Sequence, residues 1–128
     1  MKEIENYNDK QKNENSHNLA VDFDGVIHDH NLGFHDGTIY GKPIKGSLEA
    51  IKKLAKTHRI IVYTCKAKPD RPEIKGKTGT QMVWDWLKKH GIASCVAEVT
   101  SEKPRAKYYI DDRAIQFKDW NSCLLLIQ

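Results

Sequence analysis

A chain of 128 residues is long enough to form one domain around a single hydrophobic core. Its 21 basic residues nearly balance 17 acidic ones, so the net charge of +4 does not by itself indicate a nucleic-acid-binding protein. No apolar run approaches the ~20 residues of a membrane span, and the first residues lack the apolar segment of a secretory signal. We therefore expect a cytoplasmic protein without membrane association.

The first residues differ in composition from the rest of the chain. Residues 1–17 are polar and follow neither the helical nor the strand period, and we expect them to form a disordered tail. Residues 18–128 are expected to form a single domain that begins with a buried strand at Asn18–Phe23. The Gly-rich segment 31–46 that follows has room for a small hairpin.

Two segments have the apolar spacing of amphipathic helices. Ser47 is expected to cap the first helix, which ends near His58. Thr78 and Gln81 have the spacing of a capping box and begin the second helix. Gly91 supplies the C-terminal stop of this second helix.

Four further strands are predicted after the first. They lie at Arg59–Thr64, Ser94–Thr100, Lys107–Asp112 and Cys123–Ile127, with a short helical turn over 114–120. The continuous apolar residues of the second strand indicate a central strand covered on both faces. Strands that alternate with helices predict an α/β fold, a three-layer Rossmann-like sandwich with a mostly parallel sheet of about five strands.

The cysteines and tryptophans are expected to serve packing. The three cysteines are an odd number without metal-binding spacing, so reduced and mostly buried thiols are predicted. The three tryptophans are expected to pack in the core or at its edge. These residues are Cys65, Cys95, Cys123, Trp84, Trp86 and Trp120.

Polar residues collect where the predicted strands end. Functional groups of an open parallel sheet lie at the carboxyl ends of its strands. The residues at or near these ends are Asp22, Asp24, Thr64, Lys103, Asp111 and Asp112. Carboxylates at this density suit a hard cation such as Mg²⁺, which would neutralise the repulsion between Asp22 and its neighbours. The lysine and the threonine suit a phosphoryl group.

Four short motifs in chain order resemble those of the haloacid dehalogenase (HAD) superfamily of phosphohydrolases. They are "DFDGV" after the first strand, the threonine that closes "IIVYT", the pair "KP", and "YYIDD". The resemblance spans about Asn18 to Ile127. It implies a HAD-like fold and Mg²⁺-dependent hydrolysis of a phosphate monoester.

The resemblance also implies a role for each matching residue. Asp22 would be the nucleophile that becomes an aspartyl-phosphate, and Asp24 the acid and base for the leaving oxygen and for water. Thr64 would hold a phosphoryl oxygen, and Lys103 would offset negative charge. Metal ligands would be Asp22, Asp24 through its backbone carbonyl, Asp111 and Asp112. Substrate contacts are placed at Thr64, Cys65, Lys66, Lys103 and His28.

Two short connections bear on the substrate. The stretches after Asp24 and after Cys65 leave no room for the cap domain found in many relatives, so the chain resembles the capless members. The basic loop 66–77 follows Thr64 and is expected near the rim of the site. A nucleotide, a nucleic-acid end or a sugar phosphate is the expected substrate class. Closure by a second copy in a homo-oligomer is a further possibility.

Several alternatives stay open from the sequence. Lys107 competes with Lys103, and either Asp111 or Asp112 binds the metal directly. For His28, His30 and His35 three roles stay open: they contact the substrate, they form a second metal site with Asp29, or they are polar residues of the surface. The alternative functions are a phosphoacceptor or binding module of the same fold, and a metal-dependent nuclease.

Overall fold

The computed structural model describes residues 17–127, so the predicted polar tail lies, apart from His17, outside the described residues. The strands are β1 (Asn18–Asp22), β2 (Arg59–Tyr63), β3 (Val96–Thr100) and β4 (Tyr108–Ile110). The α-helices are α1 (Ser47–Leu54), α2 (Gly79–Lys89) and α3 (Trp120–Ile127), and 3₁₀ turns lie at Cys65–Ala67 and Ala93–Cys95. The predicted α/β class is confirmed.

The four strands of the described residues are all parallel, in the spatial order β3-β2-β1-β4. This arrangement is consistent with a Rossmann-like fold. The two central strands carry continuous apolar residues, and Ala20, Val21, Ile61 and Val62 are each at most 2% exposed. A strand covered on both faces needs apolar residues at successive positions, so the prediction from the second strand is confirmed.

The helices α1 and α2 each contribute buried side chains to the hydrophobic core. Ile51 of α1 and Val83, Trp86 and Leu87 of α2 join the buried cluster with Val62 and its strand neighbours. Both helices place one apolar stripe on the sheet and direct lysines to solvent, as their 3.6-residue period requires.

The boundaries of α1 differ from the prediction. Gly46 is the N-cap, with φ +84°, and Ser47 is the first helical residue without a side-chain capping bond. The positive φ explains why glycine occupies position 46. The helix ends at Leu54 rather than near His58, because the N–H groups of Lys56 and Thr57 bond to carbonyls three residues back, those of Lys53 and Leu54, in a closing turn.

The boundaries of α2 follow the predicted chemistry. Thr78 accepts a hydrogen bond from the Gln81 backbone N–H, and the Gln81 side chain accepts one from the Thr78 N–H. This reciprocal pair is the predicted capping box. Gly91 follows the helix with φ +75°, as a C-terminal stop requires.

The predicted fifth strand is wrong, because Cys123–Ile127 lies in α3. A short apolar run does not distinguish a strand from a helix by its period. The deciding residue is Asp119, whose carboxylate accepts from the Ser122 N–H at 2.8 Å and caps the first turn. The predicted helical turn over 114–120 is also wrong, since residues 114–119 are irregular and the helix begins at Trp120.

The C-terminal helix exposes most of its apolar residues. Trp120 is 72% exposed, so its predicted packing role is wrong, whereas Trp86 is 5% exposed and Trp84 packs against the core. Cys123 is buried, but Cys65 is exposed, so the prediction of mostly buried thiols fails there. The exposed apolar side chains of α3 are Trp120, Leu124, Leu125, Leu126 and Ile127.

The segments between strands and helices hold no folded subdomain within residues 17–127. Residues 31–46 form turns, and a single bridge between His28 and Pro43 stands in place of the predicted hairpin. The segment 68–78 is similarly irregular. Every helix described is too short or too polar to cross a bilayer.

We expect Leu87→Ala to lower the free energy of unfolding by about 2–5 kcal/mol, because a fully buried side chain leaves a cavity. Leu125→Ala is the matched control, since Leu125 is 70% exposed and its change is expected within about 0.5 kcal/mol. Urea unfolding measures both. Equal losses would contradict the burial described here.

Candidate functional site

The parallel register aligns the ends of three strands at one edge of the sheet. Val21 pairs with Ile110, and Asp22 pairs with Tyr63, so the residues after β4 lie beside Asp22. A cleft of about 670 Å³ opens at this edge. The predicted site residues that line it are Asp22, Asp24, Thr64, Cys65, Asp111 and Asp112.

Three carboxylates form one group in this cleft. Asp22, Asp111 and Asp112 each offer an oxygen, and these oxygens lie within 4.8 Å of one another. Burial, together with the charges of Asp111, Asp112 and Asp24, raises the pKa of Asp22 to about 6, against one backbone hydrogen bond from Phe23 that lowers it. Asp24 contributes least of the three charges. The electrostatic repulsion that acts on Asp22 therefore comes mainly from Asp111 and Asp112, and less from Asp24.

The two carboxylates after β4 are held differently. The Tyr63 hydroxyl donates to Asp111 Oδ2 at 2.7 Å, and the Arg113 N–H donates to Asp111 Oδ1 at 2.8 Å. Asp112 instead lies against Gly25, where a Cβ would collide with its carboxylate. Gly25 also has φ +86°, a backbone conformation that favours glycine at this position.

Asp24 lies in a cationic and hydrogen-bonding environment. Lys66 Nζ donates to Asp24 Oδ2 at 3.0 Å, and His28 Nδ1 is 2.8 Å from Asp24 Oδ1. Burial raises the pKa of Asp24, but the hydrogen bonds from His28 and Lys66 and the charge of Lys66 outweigh it and leave the pKa below its ordinary value. The two aspartates of "DFDGV" thus share a cleft but have opposite surroundings.

Thr64 has a hydroxyl hydrogen available for a ligand. Its N–H bonds to the Thr100 carbonyl at 2.9 Å, which fixes the residue at the end of β2. Its Oγ1 accepts from the Lys66 N–H at 3.2 Å and caps the 3₁₀ turn. Because a hydroxyl both accepts and donates, the proton on Oγ1 is left to point into the cleft that Thr64 lines.

No family model, curated protein or solved structure matches the chain. The chemistry of the site therefore rests on its own geometry.

The group of Asp22, Asp111 and Asp112 fits a hard divalent cation. Such a cation takes carboxylate oxygens and keeps water or phosphate oxygens in its other positions. Three ionisable oxygens within 4.8 Å, with a raised pKa at Asp22, form a donor set that a positive charge would stabilise. Asp111 already accepts two hydrogen bonds, which leaves Asp112 the less constrained ligand.

Lys103 lies near the site but outside the residues that line the cleft. Its Nζ is 4.4 Å from the centre of the Tyr109 ring. The pKa of Asp111 is lowered mainly by the hydrogen bond from the Arg113 N–H, and the charge of Lys103 makes the smallest contribution to this shift. Lys107 Nζ is 5.5 Å from the Tyr108 ring.

Two residues expected at the substrate are buried beneath the cleft. His28 is 0% exposed and Lys66 is 4% exposed, and neither lines the cleft. The predicted substrate contact is not available to the His28 ring, because both of its nitrogens already form hydrogen bonds, with Asp24 and with the Gly41 N–H. Lys66 Nζ is likewise engaged by Asp24. Both residues act on the site through Asp24.

The sequence interpretation missed three residues of the cleft. Tyr63 was treated as part of an apolar strand, although its alignment beside Asp22 would have placed its hydroxyl at this edge. Arg113 follows "IDD" directly and lines the cleft, as does Ser101 after β3. His30, one of the histidines left open by the sequence, also lines the cleft, and its Nδ1 lies 3.4 Å from Asp24 Oδ1.

The basic loop 66–77 borders a second and smaller cavity. This cavity, of about 230 Å³, is lined by Phe34 together with Lys66, Arg71 and Met82. The Arg71 guanidinium lies 5.3 Å from the Phe34 ring, and Lys77 pairs with Asp85. Several charges of the loop therefore have protein partners.

We expect the unfolding free energy to depend on pH through Asp22 when no divalent cation is present. Its pKa is about 6 in the folded chain and 3.8 in the reference state, so the folded state binds the proton more tightly. The stability that Asp22 contributes is complete below about pH 4 and is lost as the pH rises through about 6.

Urea unfolding from pH 4 to 7 measures this effect. The stability of Asp22→Asn relative to wild type should rise over that range, whereas Asp85→Asn, at an exposed surface pair, should show no such change. A constant difference for Asp22→Asn would contradict the crowding of carboxylates.

Proposed function

We propose that this chain is a Mg²⁺-dependent phosphatase of HAD type, which hydrolyses a phosphate monoester through an aspartyl-phosphate on Asp22. The observation that supports it is the contrast between two aspartates in one cleft. Asp22 belongs to a group of three carboxylates, while Asp24 is bonded to Lys66 and His28. Paired carboxyl groups with different surroundings are typical of sites where one attacks and the other transfers protons.

In the first step, an Asp22 oxygen attacks phosphorus as the bond from phosphorus to the leaving oxygen breaks. Asp24 gives its proton to that oxygen, and the alcohol departs. A phosphate dianion bound beside Asp24 would act against the lowering of its pKa by His28 and Lys66, because like charges disfavour ionisation. Thr64 donates to a phosphoryl oxygen. Mg²⁺, when bound by Asp22, Asp111 and Asp112, would neutralise these carboxylates and the phosphate charge.

In the second step, water attacks the phosphorus of the aspartyl-phosphate. Asp24 takes the proton from this water, and the bond between phosphorus and the Asp22 oxygen breaks. Inorganic phosphate leaves, and Asp24 regains the proton that it lost in the first step. The sum is one ester and one water converted to one alcohol and one phosphate.

Two cationic residues are proposed to offset the charge of the bound phosphate. Lys103 needs only to leave the exposed face of Tyr109, a contact that costs little at a solvent-accessible site. Arg113 lines the cleft, and its guanidinium suits the oxygens of a phosphate. Lys66 serves Asp24 instead.

The open cleft favours a substrate whose leaving group projects outward. No folded segment covers the cleft within residues 17–127, so the leaving group can be as large as a nucleotide, a nucleic-acid end or a sugar. A panel of these phosphate monoesters identifies the preferred class.

The alternatives differ from the proposal in what Asp22 does. A phosphoacceptor module would keep the phosphoryl group and release at most one leaving group per chain. A metal-dependent nuclease would cleave a phosphodiester and would need Asp22 only as a ligand. The position of Asp24, two residues after Asp22 and in the same cleft, favours turnover over simple acceptance.

We expect hydrolysis of p-nitrophenyl phosphate with Mg²⁺ and its loss with EDTA, because the carboxylates would be left without their counter-charge. Asp22→Asn should lower kcat by at least about 10³-fold while the thermal unfolding profile persists, since an amide is a poor nucleophile. Asp85→Asn is the matched control. Normal turnover by Asp22→Asn would refute the nucleophile assignment and favour the nuclease.

Lys103→Met and Lys107→Met separate the two candidate lysines. We expect Lys103→Met to lower kcat/KM for p-nitrophenyl phosphate by about 10-fold or more, because it removes a positive charge beside Asp111. Lys107→Met should stay within about threefold of wild type. The opposite order would transfer the role to Lys107.

A further inference from the structure

A continuous hydrogen-bond path runs from the Gly41 backbone through the buried His28 ring to Asp24. The Gly41 N–H donates to His28 Nε2 at 2.9 Å. His28 Nδ1 lies 2.8 Å from Asp24 Oδ1. The path links the irregular segment after β1 to one oxygen of the proposed acid and base.

The direction of each bond follows from the backbone donor. A peptide N–H only donates, so His28 Nε2 accepts with its lone pair and carries no proton. The ring proton of neutral His28 is then on Nδ1, and this N–H donates to Asp24 Oδ1. The geometry therefore assigns the tautomer of His28 without reference to pH.

The packing around His28 leaves the ring a single orientation. It is 0% exposed and stacks on Phe23 with ring centres 5.3 Å apart and an interplanar angle of 10°. Trp86 and Tyr40 meet it edge to face at 5.7 and 5.3 Å. At Gly41, a Cβ would lie 2.7 Å from His28 Nε2 and would collide with the Asp29 carbonyl, so only glycine brings its N–H this close.

The second oxygen of Asp24 is held from another direction. Lys66 Nζ donates to Oδ2 at 3.0 Å, and the Lys66 side chain is only 5% exposed. Two donors, one on each oxygen and both fixed by burial, determine the plane of the carboxylate. Side chains that meet a substrate are most effective when their neighbours lock them in this way.

We propose that His28 is a positioning residue, whose Nδ1–H fixes the Asp24 carboxylate in the orientation from which it delivers a proton to the leaving oxygen. This inference rests on the proposed phosphatase function. It accounts for a buried histidine that the chemistry itself does not use.

A second metal site is the competing explanation for these residues. Asp24, His28 and His30 offer atoms within 4.8 Å of one another. A metal would need a free lone pair on His28, but Nε2 accepts from Gly41, and Nδ1 carries the proton donated to Asp24. Only Asp24 and His30 would remain as ligands, which is too few for a closed transition-metal site.

The leaving group provides the test. A p-nitrophenolate departs without protonation, whereas an alkoxide requires the proton of Asp24. A misplaced Asp24 therefore lowers kcat/KM for an alkyl phosphate, such as glycerol phosphate, more than for p-nitrophenyl phosphate. This ratio compares two substrates on one sample, so a partly unfolded fraction cancels.

Three substitutions at His28 separate its two bonds. His28→Asn can place an amide N–H near the Nδ1 position and keep the donor to Asp24. His28→Gln reaches the Nε2 position and can accept from Gly41 but loses that donor, and His28→Leu loses both. We expect the ratio of kcat/KM for the alkyl phosphate to kcat/KM for p-nitrophenyl phosphate to fall about 10- to 100-fold in His28→Gln and His28→Leu. In His28→Asn this ratio should stay within about threefold of wild type.

The matched control is His90→Asn, because His90 packs on the same Trp86 at 4.3 Å. Its ratio should equal that of wild type. ¹⁵N NMR of wild type should also show a neutral His28 ring with the proton on Nδ1.

Each other outcome is decisive. Equal losses on both substrates, a wild-type ratio in His28→Gln, or a proton on Nε2 would overturn the positioning role alone. A wild-type protein that hydrolyses neither ester would overturn the proposed function and this role together.

Discussion

Repulsion among the carboxylates of Asp22, Asp111 and Asp112 is the constraint around which this edge of the sheet is arranged. The parallel register, with Val21 opposite Ile110, brings them together, and their oxygens lie within 4.8 Å of one another. Without a counter-charge, this closeness raises the pKa of Asp22, in addition to the effect of burial. The surrounding residues limit the cost: Tyr63 and Arg113 hydrogen-bond Asp111, and Gly25 makes room for Asp112.

Asp24 is kept apart from this group although it is only two residues from Asp22. The chain turns sharply after β1, with the N–H groups of Ile27 and His28 both bonded to the Phe23 carbonyl. This turn folds His28 back onto Asp24, and Lys66 approaches from the end of β2. Neighbours in sequence thus acquire opposite electrostatic surroundings through a single turn, and this division supports two separate roles in the proposed reaction.

The sequence predicts most of the fold because hydrophobic period and capping residues are local properties. The buried strands β1 and β2 and the capping box at Thr78 follow from them, and the meeting of Asp22 with Asp111 follows from the rule that parallel strands end on the same side of a sheet. The apolar run Cys123–Ile127 was misassigned because its length and composition suit a strand or a helix, and the cap at Asp119 was overlooked. Trp120 and Cys65 are exposed for reasons of tertiary position, which a residue type alone does not reveal.

The contacts of His28 and Lys66 with Asp24, on which their proposed roles rest, were not predicted from the sequence for a related reason. The folded arrangement depends on contacts that are remote along the chain: Gly41, which donates to His28, lies 13 residues from it, and Lys66 lies 42 residues from Asp24. The patterns of charge and spacing suggested substrate contacts for both residues, with a second metal site or the surface as the alternatives for His28. Only the folded chain shows that both side chains point inward, to the same carboxylate.

The strand β4 has three residues and, among the strands of residues 17–127, pairs only with β1 at one side of the sheet, so it is among the segments expected to open most easily. Two of the three proposed metal ligands directly follow it. Loss of this one edge strand would therefore dismantle the ligand set while β1, β2 and β3 stay paired. By thermodynamic linkage, a cation bound by these aspartates would stabilise the pairing of β4 with β1, and the pairing of β4 would in turn strengthen the binding of the cation.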